Sequence, residues 1–402
     1  DTDCIGANRG VINGVRLGLE SLTEEYDFRG PVADRFYVVS GRGGSCVTDA
    51  VRETERIVRL HNLLYCDEVP VEKALFSFSL PGAVQGFTAC PAFEKGAFYG
   101  PDNPDGEGLR IRLPETGRGY VSTPVMWDPA DRFPNYLLMG SPILYEGQTV
   151  MVRANAHSGD VRVTPYILYY DYDDKEVCLM ADEGWSVRAT DKPVDPGAVY
   201  AWTILRIRSI HWDGAPGNFG ISGTLRNWNL GHENMQFHAF VSSARQFSFD
   251  ASRAFVVSHT EENGLACTGT EGWTDYTVSA VLNASIHDRF GIVGRCRGNR
   301  RYYALVFKNG NAAELILKNG EEEKVLCRVP FAYEMNQNIR AELTLKGDRI
   351  TAAAETEATS ADASGLPGAE LTVVDHTLAA GAAGFLVDRG TFLADAFQVR
   401  KH

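Results

Sequence analysis

Two Asn-Gly dipeptides, Asn309-Gly310 and Asn319-Gly320, constrain this chain more tightly than any other feature in it. Both central residues of a type I′ turn take φ > 0, which Asn and Gly tolerate best, so each dipeptide predicts a tight antiparallel hairpin. Tyr302-Tyr-Ala-Leu-Val-Phe307 and Ala313-Glu-Leu-Ile-Leu317 flank the first of them. A further hairpin is expected from Ile339–Leu345 and Arg349–Ala354 around Lys346-Gly347-Asp348, and Tyr276–Leu282 alternates with a period of two. The Ala/Ser/Thr-rich run Thr356–Ser364 reads as an exposed loop. Together these place an antiparallel β-sandwich over about residues 245–400.

The period of two begins earlier. Thr149–Asn155, Val161–Tyr169 and Val199–Ile207 read as strands, broken by turn-rich loops such as Gly100–Gly106 and Asp213–Gly217. A second antiparallel sandwich is therefore expected over residues 73–230. The first 66 residues differ. Val11, Ile12, Val15, Leu17 and Leu19 supply apolar faces for a helix over Asp3–Glu20, and Val47, Val51, Thr54, Val58 and Leu64 do so for one over Thr48–Tyr65. Thr48 or Asp49 is placed to cap the second helix. The first helix holds Gly6, Gly10, Gly14 and Gly18, each costing roughly 1 kcal/mol relative to Ala. Such a row is expected where something approaches the backbone closely. The fold class expected is thus multidomain and mainly β: a short α-helical N-terminal part followed by two antiparallel, jelly-roll-like β-sandwiches.

Charge and cysteine usage exclude several functions. The formal net charge is −13 with no basic run, which disfavours nucleic acid and anionic membranes as partners. No apolar run reaches the ~18 residues a membrane span needs. The eight cysteines are scattered without a C-x-x-C pair, which argues against a zinc ribbon or a dense disulfide scaffold. They fit a cytoplasmic, reducing compartment, with a secreted protein the alternative.

Chemistry concentrates at the opening, Asp1-Thr2-Asp3-Cys4-Ile5-Gly6-Ala7. Carboxylates at i and i+2 can converge on one hard cation, and Mg²⁺ accepts such a half-site while keeping its waters. The helix behind them aims its first amides at the same place. The bland alternative is that both aspartates only cap that helix. Elsewhere, Asp102, Asp105 and Glu107, and Asp171, Asp173, Asp174 and Glu176, form acidic loops that suit either Ca²⁺ or solvent. Of the many aromatics, Trp212, in a Gly/Pro-rich loop, and Trp185, next to Gly184, are the candidates for stacking on sugar rings rather than packing in a core. No G-x-S-x-G, H-E-x-x-H or P-loop occurs, and His259, His287 and His376 have no triad spacing.

The opening D-x-D-[T/C]-x-G-A segment, with Gly10 and Gly14, resembles the C-terminal metal motif of the ADP-ribosylglycohydrolase family. Arg29-Gly-Pro-Val-Ala-Asp-Arg35 is similar to that family's G-P-[L/V]-x-D-R segment, and the helix up to Leu64 to its closing helix. The resemblance covers residues 1–65. It implies the end of an all-α domain built around Mg²⁺, usually two ions, that hydrolyses N- or O-glycosidic bonds of ADP-ribose. It makes Asp1 and Asp3 metal ligands. Cys4 stands where many members have a metal-contacting Thr, and a thiol is a poor Mg²⁺ ligand. The family's other metal half-site and its acidic catalytic residue lie upstream of its D-x-D motif, so catalytic residues are expected before residue 1 and the chain alone should be inactive. Gly272–Val278, Gly291–Arg295, Tyr302-Tyr303-Ala304 and Ala394–Val399 resemble concanavalin A-like (laminin-G-like) jelly rolls.

Two functions follow as expectations. One is the C-terminal portion of a Mg²⁺-dependent glycoside hydrolase acting on an ADP-ribosylated or glycan substrate. The other is a non-enzymatic carbohydrate-binding or adhesion protein.

Overall fold

A computed structural model describes residues 2–22, 26–37, 47–66, 74–89, 101–114, 119–125, 143–145, 148–156, 160–170, 176–180, 185–188, 202–212, 219–221, 240–249, 254–357 and 368–402. The chain is mainly β, with two α-helices, both near the N-terminus, and strands that pair antiparallel among the described residues.

The expected hairpins form. Asn309 and Gly310 both take positive φ, 55° and 67°, between strands Arg301–Lys308 and Ala312–Asn319. The next turn sits one residue later than the dipeptide suggests. Asn319 pairs with Glu322, so Gly320 and Glu321 form the loop and Gly320 alone has positive φ, 69°. Glycine at the first central position is the type II′ requirement, which leaves Asn319 free to close the strand. Gly347, with φ 54°, turns the chain between Lys346 and Arg349 in the same way.

These hairpins belong to a sandwich of two large sheets. One runs Gln246–Phe249, Phe255–His259, Gly390–Lys401, Tyr276–Ala284, Asn338–Lys346, Arg349–Thr356, Ala369–Val374. The other runs Val241–Ser242, Gly264–Thr268, Ala382–Asp388, Arg289–Cys296, Arg301–Lys308, Ala312–Asn319, Glu322–Pro330. Alternate residues point inward, so Val278, Ala280 and Leu282 meet Phe290, Ile292, Leu305, Phe307 and Phe385 in one core. The second sheet is apolar on its other face too, where Cys267, Val293, Tyr302, Val306 and Leu386 are buried.

In the middle of the chain, strands Leu109–Pro114, Trp202–Trp212 and Val150–Ala156 form a sheet with Trp202–Trp212 at its centre. Leu109, Ile111, Leu205, Ile207 and Ile210 cover a core with Phe76, Phe78 and Phe87. The expected strand over 161–169 is two, Asp160–Val163 and Tyr166–Tyr170, because Pro165 has no N–H to continue a ladder. Two features fasten this region to the last sandwich. Ile143 lies in the middle core, whereas Tyr145 lies in the other, edge-on to Trp273 at 4.7 Å, its hydroxyl accepting from the Gly269 amide at 2.8 Å. Phe219–Ile221 pairs with Phe397–Val399. The loop expected over Thr356–Ser364 falls mostly outside the described residues, as do Asp171, Asp173 and Asp174 and the side chain of Glu176.

Candidate functional site: the helical head and its seat

The first helix, α1, spans Thr2–Leu17. It stops three residues short of the expected Glu20 because Gly18 takes φ 81°, a left-handed C-terminal position that glycine fills without strain. Asp1 and the side chain of Asp3 lie outside the described part of the structure; Asp3 is in the helix's first turn and Cys4 is exposed. Among the described residues nothing makes the expected close approach along the glycine row. No atom lies within 4 Å of a Cβ built on Gly6, Gly10, Gly14 or Gly18. The apolar residues beside them also face water: Ile5, Val11, Ile12 and Leu17 are exposed, and Val15 is 85% exposed.

The second helix, α2, spans Ala50–Tyr65. Asp49 caps it, accepting the Arg52 amide at 2.9 Å. Asp49 is buried, which raises its carboxyl above the ordinary range, while hydrogen bonds from Arg52 and Gln85 and the Arg52 charge pull the other way. Gln85 is the centre of the seat. Its side-chain amide donates to Asp49 Oδ1 at 3.0 Å, its side-chain carbonyl accepts the Phe78 amide at 2.6 Å, and its backbone N–H donates to Asp34 Oδ2 at 3.2 Å. Asp34, also buried, accepts the Val84 amide and Arg29 Nε, each at 2.6 Å. Asn103 donates its side-chain amide to the carbonyls of Phe78, Leu80 and Ala83, fixing the loop that presents Gln85. Asp34, read from sequence as part of a family segment, thus joins the head to the first β unit.

The polar side of α2 faces the β units. Glu55 accepts from Ser77 and Ser79 at 2.8 and 3.0 Å, and Arg56 pairs with Glu271 of the last sandwich. Val51, in the first turn of α2, is fully buried, but the later apolar residues of the helix point outward. Ile57, Val58, Leu60, Leu63 and Tyr65 are exposed, and Leu64 is 73% exposed. Beyond its first turn the helix thus leaves exposed the apolar residues that a surface helix ordinarily turns to a core.

The acidic loop near residue 105 is engaged by guanidinium groups. Asp102 holds Arg110 through two 2.6 Å contacts and Arg112 at 3.2 Å; Asp105 holds Arg206 at 2.6 Å; Glu107 holds Arg208 at 3.3 Å. The Arg206 hydrogen bond holds the Asp105 carboxyl down at about 2. Trp185 opens strand Trp185–Arg188 opposite Val163, and Trp212 ends strand Trp202–Trp212 opposite Val150; the side chains of both lie outside the described part of the structure. The arginine clustering escaped the sequence reading. Its signal was there in two short alternations, Leu109-Arg-Ile-Arg-Leu113 and Leu205-Arg-Ile-Arg208.

Among the described residues no three metal-binding side chains converge, and no helix is long and apolar enough to cross a membrane. No protein-family model matches this chain, and no curated protein does. Several solved structures are similar. A carbohydrate-binding module from Bacillus subtilis is 9% identical over 40% of this chain and 94% of its own, with a TM-score of 0.34. Lectin II from Ulex europaeus is 9% identical over 46% and 97%, with a TM-score of 0.33. A xylan beta-1,4-xylosidase from Bacillus halodurans is 10% identical over 79% and 65%, with a TM-score of 0.34.

Proposed function

We propose that residues 1–65 are the closing part of a Mg²⁺-dependent hydrolase domain of the ADP-ribosylglycohydrolase type, and that the β units behind it hold a glycan or glycosylated target. The observation that carries this reading is the apolar exposure of α2 beyond its first turn. A helix that spends its polar face on its own β units and turns six large apolar residues outward needs a second apolar surface. The exposed residues of α1, Ile5, Val11, Ile12, Val15 and Leu17, leave a further apolar surface in water. A helical domain continuing over these faces supplies that surface.

The donor set fits Mg²⁺ in part. Asp1 and Asp3 are hard oxygen ligands suited to half a site, whereas the exposed Cys4 thiol is not. The ion, once bound by the completed site, would polarise a water and orient ribose hydroxyls. What this chain's own residues do is hold the site's wall. Asp49 starts α2, and Asp34 and Gln85 lock it to the first β unit.

The test is to express the chain with the sequence encoded ahead of Asp1 and assay release of ADP-ribose from modified protein with and without Mg²⁺. Metal-dependent release that disappears in Asp3→Ala supports the reading. Turnover unchanged in that variant, or no acidic motif encoded upstream, overturns it and leaves the carbohydrate-binding or adhesion reading.

A further inference from the structure

The middle sheet has one apolar face and one arginine face. Leu109, Ile111, Leu205, Ile207, Ile210 and Ala156 lie in its core. Side chains alternate along strands, so Arg110, Arg112, Arg206, Asn155 and Arg153 take the opposite face, with Arg208 in the bulge between Ile207 and Ser209. Arg206 stands directly opposite both Arg110 and Asn155, and Arg153 opposite Ser209. Like charges placed opposite one another across strands cost stability.

Among the described residues three carboxylates, Asp102, Asp105 and Glu107, offset five guanidinium groups, leaving two positive charges in excess on a chain whose formal net charge is −13. The surplus can be located. Arg112 shares Asp102 with Arg110 at its longer contact, and Arg153, exposed, has no ion pair among the described residues. Arg206 is buried and fixed by Asp105, with its Nε lacking a partner among the described residues. From Arg112 through Arg206 to Arg153 the cations cross all three strands diagonally, a track of roughly 15–20 Å by strand spacing and rise. Neutral polar groups line it: Asn155, which accepts from Arg208 at 3.1 Å, and Ser209, bonded to His211 at 3.0 Å. Met151, opposite His211 and 55% exposed, adds an apolar surface.

We propose that this face binds an acidic saccharide, a sugar chain carrying carboxylate or sulfate groups. Arg112 and Arg153 meet the anions, since the guanidinium fork matches both groups. Asn155 takes hydroxyls, and Met151 packs on a ring. A stripe of this length suits a linear chain of several sugars better than a single ion. Asn155 and Met151 beside the cations suit the hydroxyls and ring face of a sugar, and DNA, a polyanion without such a face along its backbone, is the competing outcome in the test. The inference rests on this sheet alone and stands apart from the hydrolase reading of the head.

The experiment is affinity electrophoresis of the whole chain through gels containing polygalacturonate, dextran sulfate or neutral dextran, with single-stranded DNA as a competing polyanion. Retention by polygalacturonate alone assigns a carboxylate ligand, and retention by dextran sulfate alone a sulfate one. Either should weaken about tenfold or more between about 20 and 300 mM salt. The Arg112→Ala/Arg153→Ala double variant, with its fold checked by circular dichroism, should lose about tenfold or more in affinity, as expected for charge-assisted pairs. Arg340→Ala/Arg400→Ala, exposed arginines of the last sandwich, should lose nothing. Equal retention of the Arg112/Arg153 variant, retention by neutral dextran to the same degree, or displacement by DNA at equal charge overturns the proposal.

Discussion

Gln85 donates its side-chain amide to Asp49, the residue that caps α2, while its backbone N–H reaches Asp34. One residue of the first β unit therefore satisfies two buried carboxylates of the helical head. Gln85→Ala leaves Asp49 Oδ1 and the Phe78 amide each short of a partner in a buried setting. Asp49 Oδ1 keeps the Arg52 amide, so the orphaned group is the Phe78 N–H, at a cost of about 1–3 kcal/mol. The variant should lose helical signal in denaturant before the β signal changes, followed by far-ultraviolet circular dichroism. Gln85→Glu should be worse at neutral pH, because it sets a carboxylate against Asp49.

The tie between α2 and the last sandwich runs through Glu271, which pairs with Arg56 and lies 4.0 Å from Arg297. These side chains are about a third exposed or more, so solvent screens them and the pair contributes roughly 0–1 kcal/mol. Glu271→Ala should leave the global midpoint almost unchanged while speeding hydrogen exchange in the α2 amides. High salt should produce the same change in the parent protein.

Asp105 predicts an acid limb. Its carboxyl is held at about 2 by Arg206, below its ordinary 3.8. A depressed carboxylate contributes stability that is present above the unfolded value and is lost as pH falls from about 4 through 2. The contribution is small because the side chain is 41% exposed. Asp105→Asn should flatten the loss of melting temperature over that window and alter nothing in its shape above pH 5. An unchanged acid limb would refute the assignment.

The hairpins of the last sandwich were legible because their signals are local. A turn that needs φ > 0 announces itself by Gly310 or Gly347, and alternation gives the faces. A cap at Thr48 or Asp49 was legible for the same reason, and the structure puts it at Asp49. The seat was not. Gln85 and Asn103 act on partners up to 51 residues away, and nothing in their neighbours marks them. Nor does a helical period say which way a helix faces. The spacing gave α2 an apolar stripe, and only its polar contacts with Ser77, Ser79 and Glu271 show that stripe turned outward beyond Val51. The glycine row of α1 was read as a surface for close approach, yet the described residues put nothing there.

Gly291 tests the closeness of the second sheet. It pairs with Val306, and a Cβ built on it collides with the carbonyl of Leu305, which as backbone cannot swing away. Gly291→Ala should cost ~3 kcal/mol or more, at the severe end for overpacking, by forcing two central strands apart. Gly320→Ala, in the open turn with nothing within 4 Å, meets only the backbone penalty of positive φ, about 1 kcal/mol. The ranking of the two in thermal denaturation is the check; equal losses would mean that the sheet yields.

The outward face of α2 gives the sharpest separation between the two functional readings. Leu60 and Leu64 are 54% and 73% exposed, so in this chain a Leu60→Glu/Leu64→Glu variant removes little packing. Surface changes of that kind lie within about ±0.5 kcal/mol. Binding of a hydrophobic dye should fall, and solubility rise, because an apolar patch has been charged. In a protein carrying the preceding helical domain the same leucines would be buried, and charging two of them would cost several times as much, on the order of 2–5 kcal/mol per leucine by analogy with truncation in a core. Measuring the melting temperature of the pair in both contexts decides. A variant that is neutral in both leaves α2 as a free surface and removes the observation on which the hydrolase reading stands.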